Sequence, residues 1–429
     1  MDVITECVAG LDLHKDLIVA CVLSGAPTGP VAREVRTFGT TTRELLNLRE
    51  WLEESGVATV VMEATGIYWR PVFNVLQHDV ALADEPVGLR LILANPQQIK
   101  RVPGRKTDVK DAEWIAQLAR HGLIAGSFVP PRPVRELRDL ARYRKKLVGE
   151  LAAEKTRAQR VLEDANIKLG SVATDIFGAS GRAMLAALAA GTTDGPTLAA
   201  LAQGKLRRKQ AALEAALEGR PTAAHRFLLA QMLRHVAFLD SAIAEVEGEL
   251  ATRLAEQDTA RQNLCTIPGV SLVVATALIA ELGTDMSAFP TAQHLASWAG
   301  VCPGTSESAG KQRGAHVRKG RTWLKSVLCE AAWGAVRTKG SYLAAKYFKL
   351  RARRGPQRAL LAIAHKILVA AYQVLRTGQP YHELGGDYLD RLHLERRQTS
   401  LVRALEALGF EVTLTPTPPP TAAPGYAAG

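Results

Sequence analysis

Two valine-rich apolar runs fill the first 24 residues, and they constrain the fold more than any other feature. "ECVAGLDLHKDLIVACVLS" is interrupted only at His14-Lys15-Asp16, so it predicts two strands joined by a polar turn, and "REVRTFGTT" supplies a third. A helix follows, capped by Thr42, with Leu45, Leu46, Leu48, Trp51 and Leu52 as its apolar stripe and Gly56 as its stop. Then come a short buried-type strand, "ATVVMEATG", a helix, "IYWRPVFNVLQHD", a further strand, "LRLILANP", and a helix opening at Asp108. Three strands in hairpin order, followed by alternating helices and strands, predict a mixed sheet flanked by helices.

From Pro130 the pattern becomes helical. "PPRPVRELRDLARYRKKLVGELAAEKTRAQRVLEDANIKL" and "RFLLAQMLRHVAFLDSAIAEVEGELATRLAEQ" carry charges on one face, and an Ala-rich insertion separates them. They suggest an arm or coiled-coil stalk, although strict heptads are not sustained. Residues 261–380 form another helical unit, and "TPTPPPTAAPGYAAG" closes the chain with a composition expected to be disordered from roughly residue 415. The expected fold class is therefore α/β plus all-α. Its expected divisions are 1–130, a helical region 131–260, a mainly α-helical domain 261–400 and an extension 401–429.

A chain of 429 residues, 47% hydrophobic and 22% charged, fits a soluble protein of several domains. Apolar runs such as "SLVVATALIAEL" look too short to span a membrane, and the N-terminus has no signal-peptide pattern, so a cytoplasmic location with no membrane partner is expected. Cys7, Cys21, Cys265, Cys302 and Cys329 are widely spaced with no CxxC pair, which argues for buried, reduced thiols over zinc or disulfides. The net charge of +12 points to a polyanionic partner, since cations gain affinity by releasing counterions from phosphates. "KLRRK", "KQRGAHVRKGR" and "KLRARRGPQR" are among the basic clusters.

Four acids stand out against this basic background. Asp12 lies inside the first apolar run, Glu63 ends another, and "GRKTDVKDAEWIA" sets Asp108 and Asp111 three residues apart at a helix start. Taken singly they have ordinary readings: Thr107 or Asp108 as a helix cap, Asp12 in a turn hydrogen bond, Glu63 in water. The element order resembles a ribonuclease-H-like domain, in which the strands of Asp12 and Glu63 are neighbours. Four converging carboxylates would repel one another unless cations neutralised them. Two divalent ions about 4 Å apart would do so and would suit phosphodiester chemistry; an all-oxygen site fits Mg2+, with Mn2+ as a substitute.

A second group is "VCPGTSESAGKQRGAHVRKGRTWLK", a Gly- and Ser-rich stretch holding Lys311, Arg313, Arg318, Lys319 and Arg321. It could bind a DNA backbone, or its cations could assist a serine nucleophile. No Ser-His-Asp pattern favours acyl transfer; His294 and His316 are merely near in sequence. "TIPGVSLVVATALIAEL" looks like a helix-hairpin-helix element, but Ser271 replaces the second glycine, leaving phosphate contact and packing as equal alternatives.

Together "GLDLHKD", "VVMEATGIYW", "NPQQIKRVPGRKTDVKDAEWIAQLA", "TIPGVSLVVATALIAELG", "HLASWAGVCPGTSESAGKQRGAHVRKGRTWLKSVLCEAAW" and "YHELGGDYLDR" resemble, in order, the DEDD transposases of bacterial insertion sequences. These are bridge-RNA-guided recombinases with an N-terminal RuvC-like domain and a C-terminal serine-bearing transposase domain. The resemblance runs from about residue 5 to about residue 412. It implies that Asp12, Glu63, Asp108 and Asp111 bind Mg2+ and that Ser308 is the nucleophile, with Ser306 as its rival. It also implies a covalent phosphoserine link to DNA and a structured guide RNA that pairs with donor and target duplexes. The protein would act as a homo-oligomer, from dimer to tetramer, at the bacterial nucleoid. Lys106, Lys110, Lys311, Arg313, Arg318, Lys319 and Arg321 would contact nucleic acid. The rival readings are a metal-dependent Holliday-junction resolvase or nuclease using activated water, a non-catalytic nucleic-acid-binding protein, and an actin-like ATPase. The last lacks paired Gly-rich phosphate loops after the strands of Asp12 and Glu63.

Overall fold

The structure is a computed structural model that describes residues 4–64, 66–77, 89–99, 108–302, 307–308, 311–312, 323–392 and 394–415. Two compact units make up the chain, Met1–Pro133 and Val134–Gly429.

The first unit is built on five strands: β1 (Cys7–Leu13), β2 (Leu17–Ser24), β3 (Ala32–Gly39), β4 (Thr59–Glu63) and β5 (Arg90–Ala94). Their order is β3-β2-β1-β4-β5. β1 to β3 form an antiparallel meander, whereas β4 pairs parallel with both β1 and β5. This is the ribonuclease-H-like arrangement that the element order leads one to expect. The helices are α1 (Thr42–Glu54), α2 (Trp69–Leu76), α3 (Pro96–Ile99) and α4 (Asp108–Arg120). Thr41, rather than Thr42, caps α1: its side chain accepts from the Glu44 backbone N–H.

Strands that are apolar at nearly every position must be covered on both faces. Along β1, Ala9, Leu11 and Leu13 join a core with Leu45, Leu48, Trp51 and Leu52 of α1 and Val72, Phe73 and Leu76 of α2. Val8 points into the opposite core, with Val61, Ala112, Ile115, Ala116 and Ala119. Gly10 shares the face of Val8, and α4 crosses directly above it. A Cβ at Gly10 would stand 2.3 Å from the Ala112 carbonyl oxygen and 2.5 Å from the Ala116 nitrogen. At its far end α4 is tied down by Arg120, which donates to the Gly25 carbonyl at 2.8 Å, and by Ile4 N–H bonding to the Arg120 carbonyl at 3.0 Å.

The second unit opens with α5 (Arg132–Asp164) and continues through α6 (Leu169–Val172), α7 (Ala179–Ala190), α8 (Gly195–Ala199), α9 (Gln210–Leu217) and α10 (Ala223–Arg253). Four side-chain pairs, two of them between a carboxylate and a histidine, hold α5 against α10 in antiparallel register: Glu136–Arg253 (3.0 Å), Arg144–Glu247, Glu154–His235 (3.4 Å) and Asp164–His225 (2.9 Å). The four short helices between them share a core with Ala158, Leu162, Leu229 and Val236. Backbone bonds close the neck of this insertion, Lys168 N–H to Ala216 C=O at 2.7 Å and Arg220 N–H to Ala165 C=O at 2.9 Å. Next come α11 (Asp258–Cys265), α12 (Leu272–Leu282), α13 (Ala292–Trp298), a two-residue hairpin of β6 (Glu307–Ser308) and β7 (Lys311–Gln312), α14 (Trp323–Arg337), α15 (Tyr342–Arg354), α16 (Pro356–Thr377), α17 (Tyr388–Leu392) and α18 (Leu394–Glu406).

Two expectations need correction. α10 and α16 are long and apolar enough to cross a membrane by length and composition, because alanines dilute their charges. Half of the α16 segment is instead buried among protein side chains, with Ile363, Ala364, Ile367, Leu368, Ala371 and Tyr372 on its inner face. The five cysteines are all free, but only Cys21 is fully buried, and its thiol pKa is pushed up to about 11 mainly by that burial. The tail from residue 416 lies outside the described residues.

Gly10 yields the first prediction. In Gly10→Ala the new methyl meets backbone atoms that cannot rotate away, so α4 must lift from β1. Urea denaturation of the full chain should show a loss of about 1–3 kcal/mol or more.

Candidate functional site

Side chains two apart on a strand share a face, which places Asp12 with Val8 and Gly10 and places Glu63 with Val61. β1 and β4 pair in the register Gly10↔Val61 and Leu11↔Met62. One step further brings Asp12 opposite Glu63, on the face that α4 covers. The C-terminal end of α4 is fixed near the start of β1, so its N-terminal turn, with Asp108 and Asp111, lies toward the strand end that carries Asp12. The backbone positions of Asp12 and Glu63 and the first turn of α4 therefore lie toward one end of one sheet face.

Asp12 is mostly buried, 15% exposed, and its Oδ2 lies 3.1 Å from Nε2 of the more exposed His14. Glu113, two residues past Asp111, pairs with Arg33 at 2.9 Å. The donor set, carboxylate oxygens with a histidine behind one of them, suits a hard divalent cation. Among the described residues no three His, Cys, Asp or Glu side chains stand close enough to hold a metal. The side chains of Asp108 and Lys110 are not among those described, and Lys106 lies outside the described residues.

In the second unit Ser308 ends β6 and pairs with Lys311 of β7 across the two-residue hairpin. Ser306, Arg313, Arg318, Lys319 and Arg321 lie outside the described residues. Glu281 is 2% exposed on α12, a helix otherwise apolar from Leu272 to Leu282. Arg142 of α5 meets it with both arms: Nε donates to Oε1 at 2.7 Å and Nη2 to Oε2 at 3.0 Å. One turn earlier, Arg138 Nε lies 3.2 Å from Oε2.

Each arginine also lies against an indole. Arg138 stands 5.9 Å from the ring of Trp298, the last residue of α13. Arg142 stands 5.9 Å from the ring of Trp323, the first residue of α14, and Lys145 5.3 Å from the same ring. The two tryptophans that flank the serine segment in sequence are thus held by two cations sharing one buried carboxylate. Sequence reasoning missed this group and His14. Its signal was the one acid in the apolar run "LVVATALIAEL", which had to find a cation.

The "TIPG" turn packs rather than projects. Gly269 has φ +83°, and a Cβ there would meet the Ala331 oxygen of α14 at 2.2 Å. Ser271 caps α12, its Oγ accepting from the Val274 N–H at 3.4 Å.

Replacing Glu281 with Gln leaves Arg138 and Arg142, 14% and 39% exposed, without their shared carboxylate, so denaturation of Glu281→Gln should show a loss of about 1–3 kcal/mol. Glu247→Gln, which breaks an exposed pair with Arg144, should cost less than about 1 kcal/mol in the same assay.

Comparison with known proteins places these sites in a family. Residues 9–167 match a transposase model, that of the DEDD transposases of the IS110 type, and residues 261–348 match the model described as Transposase IS116/IS110/IS902 family. The chain is 26% identical over 357 residues to a putative transposase of Sinorhizobium fredii, covering 80% of each chain. It is 25% identical over 334 residues to the insertion element IS900 uncharacterized 42 kDa protein of Mycobacterium paratuberculosis, covering 68% of this chain and 80% of that one. A 121-residue stretch is 32% identical to an IS110 insertion-element protein of Streptomyces coelicolor, covering 28% and 29% of the two chains. A Thermus thermophilus RuvC structure aligns over 28% of this chain and 99% of that one, with 15% identity and a TM-score of 0.22. The two family models follow one another along the chain in the units that carry the acids and the serine, and the protein belongs to the IS110 family of DEDD transposases, enzymes of DNA transposition.

Proposed function

We propose that this transposase is an RNA-guided, site-specific recombinase of an insertion sequence, with Ser308 as nucleophile and Asp12, Glu63, Asp108 and Asp111 as the ligands of Mg2+ or Mn2+. The observation that supports the metal reading is the β1–β4 register, Gly10↔Val61 and Leu11↔Met62, whose continuation by one residue pairs Asp12 with Glu63 on the face that α4 covers. When bound there, a divalent cation supplies positive charge to phosphodiester chemistry. The chain's own part is to hold four oxygen donors at the rim of a rigid sheet. His14 steadies the carboxylate of Asp12.

The serine step rests on the family resemblance and on the cations that stand near Ser308 in sequence. Ser308 Oγ attacks a DNA phosphorus and forms a P–O bond; the deoxyribose oxygen leaves and takes up a proton, while the serine has lost one. Reversal of the step by a different strand's hydroxyl rejoins DNA. Lys311, opposite Ser308 in the hairpin register, supports the alkoxide and the charge that builds on phosphorus. Arg313, Arg318, Lys319 and Arg321 extend this positive charge along the same segment.

Donor and target duplexes, a structured guide RNA and an assembly of two to four copies complete the reading, as the family resemblance implies, in a bacterial cytoplasm at the nucleoid. A net charge of +12 suits a protein that holds nucleic acid by its backbone while base pairing selects the sequence. Beyond the acid-bearing domain, residues 131–260 serve assembly and RNA binding, and 261–400 serve strand exchange.

The test is a denaturing gel of wild type, Ser306→Ala and Ser308→Ala with Mg2+, element RNA and donor and target duplexes. A protein–DNA adduct should survive denaturation in wild type and Ser306→Ala and vanish in Ser308→Ala. Cleavage in Ser308→Ala without an adduct would instead mean attack by water. Asp111→Asn should slow cleavage by about a hundredfold or more while DNA and RNA binding persist, and chelation by EDTA should do the same.

A further inference from the structure

The corner between α15 and α16 concentrates positive charge that the fold leaves unused. Lys346, Lys349 and Arg353 recur at i, i+3 and i+7 and so share one face of α15. Lys366 of α16 adds its field to theirs. Lys346 is half-buried, and its ammonium pKa is pulled below the ordinary lysine value, first by burial and then by Lys366, Arg353 and Lys349. His365 is pulled down by burial and then by the same Lys366.

Carboxylates do not answer this charge. Lys349 pairs with Asp390 at 2.7 Å, but Lys346, Arg351, Arg353, Arg354 and Lys366 have no described carboxylate within ion-pair distance. The α15 macrodipole accounts for part of the pattern, because Arg351, Arg353 and Arg354 fall in its last turn, where a cation is stabilised by the exposed carbonyls. It does not account for Lys346 in the second turn of α15 or Lys366 in the middle of α16. Lys346, half-buried among these cations, is in a place where a neutral residue would cost the fold less.

We propose that the α15–α16 corner, centred on Lys346, Arg353 and Lys366, is a binding surface for the phosphate backbone of nucleic acid. The arrangement costs the free protein a little stability and recovers it when phosphates enter among the cations. A structural role predicts the opposite sign, since removing a stabilising cation lowers stability.

The test is the triple variant Lys346→Gln, Arg353→Gln, Lys366→Gln in the full chain, compared with Arg36→Gln, Arg43→Gln, Arg90→Gln, three exposed cations of the first unit with no assigned nucleic-acid contact. The probes are a duplex DNA and an unstructured single-stranded RNA, both of arbitrary sequence, titrated over a range of salt. The first triple should flatten the dependence of log Kobs on log salt by about 0.9 per lost contact on duplex DNA or about 0.7 on single-stranded RNA. Its Tm without nucleic acid should hold or rise. Flattening on one probe alone names that nucleic acid as the occupant; flattening on both assigns the backbone common to the two. An unchanged slope on both probes, equal flattening by the control triple, or a lowered Tm would each overturn the proposal.

Discussion

Taking Glu281 out of water costs several kcal/mol, and only the two guanidinium groups of α5 offset that cost. The bidentate geometry at Arg142 leaves little freedom of angle, so the pair fixes α5 along α12 in both position and rotation. Because α5 is one continuous helix of 33 residues, that single anchor also sets where its remaining charges fall. The four pairs with α10 follow in step, and Trp298 and Trp323 find cations already in place. Geometry at the two ends of the serine segment is thus inherited from one carboxylate.

The first unit reaches its geometry by omission. Without a side chain, Gly10 lets the backbone of α4 approach β1 within distances that any Cβ would forbid. Small residues on the helix, Ala112, Ala116 and Ala119, continue the close contact. The result is a thin layer in which the backbone of α4 lies directly on that of β1. Arg120 then pins the far end of the helix, so the acid-bearing turn is held by a lever clamped at its other end.

Much of this could be read from residues close together in sequence. The strands and helices followed from apolar periodicity, which is a local property, whereas the adjacency of the strands carrying Asp12 and Glu63 came from the resemblance of the element order to a ribonuclease-H-like domain. Thr41 and Thr42 compete for the same cap, and composition alone cannot choose between them. The Glu281 group joins residues 139 and 143 apart, so no local window contains both partners. A lone acid in an apolar helix announces a need for a cation but not which one. Membrane-length helices were misjudged for a related reason: alanines and leucines interrupted by few charges look broken in the sequence, yet form continuous helices once packed.

The neck of the insertion between α5 and α10 has a consequence for how such chains diversify. Its two backbone bonds bring residues 165–168 and 216–220 together, so everything between them is a closed excursion from an otherwise unbroken helical pair. Lengthening a closed excursion adds little entropy, about 0.6 kcal/mol per doubling. Whole helices could therefore be gained, lost or exchanged there, provided that Ala158, Leu162, Leu229 and Val236 stay covered, and the spacing of α5 and α10 would not change. The neck is a natural grafting point, where a new recognition module could be carried without disturbing the parts that cut and join DNA.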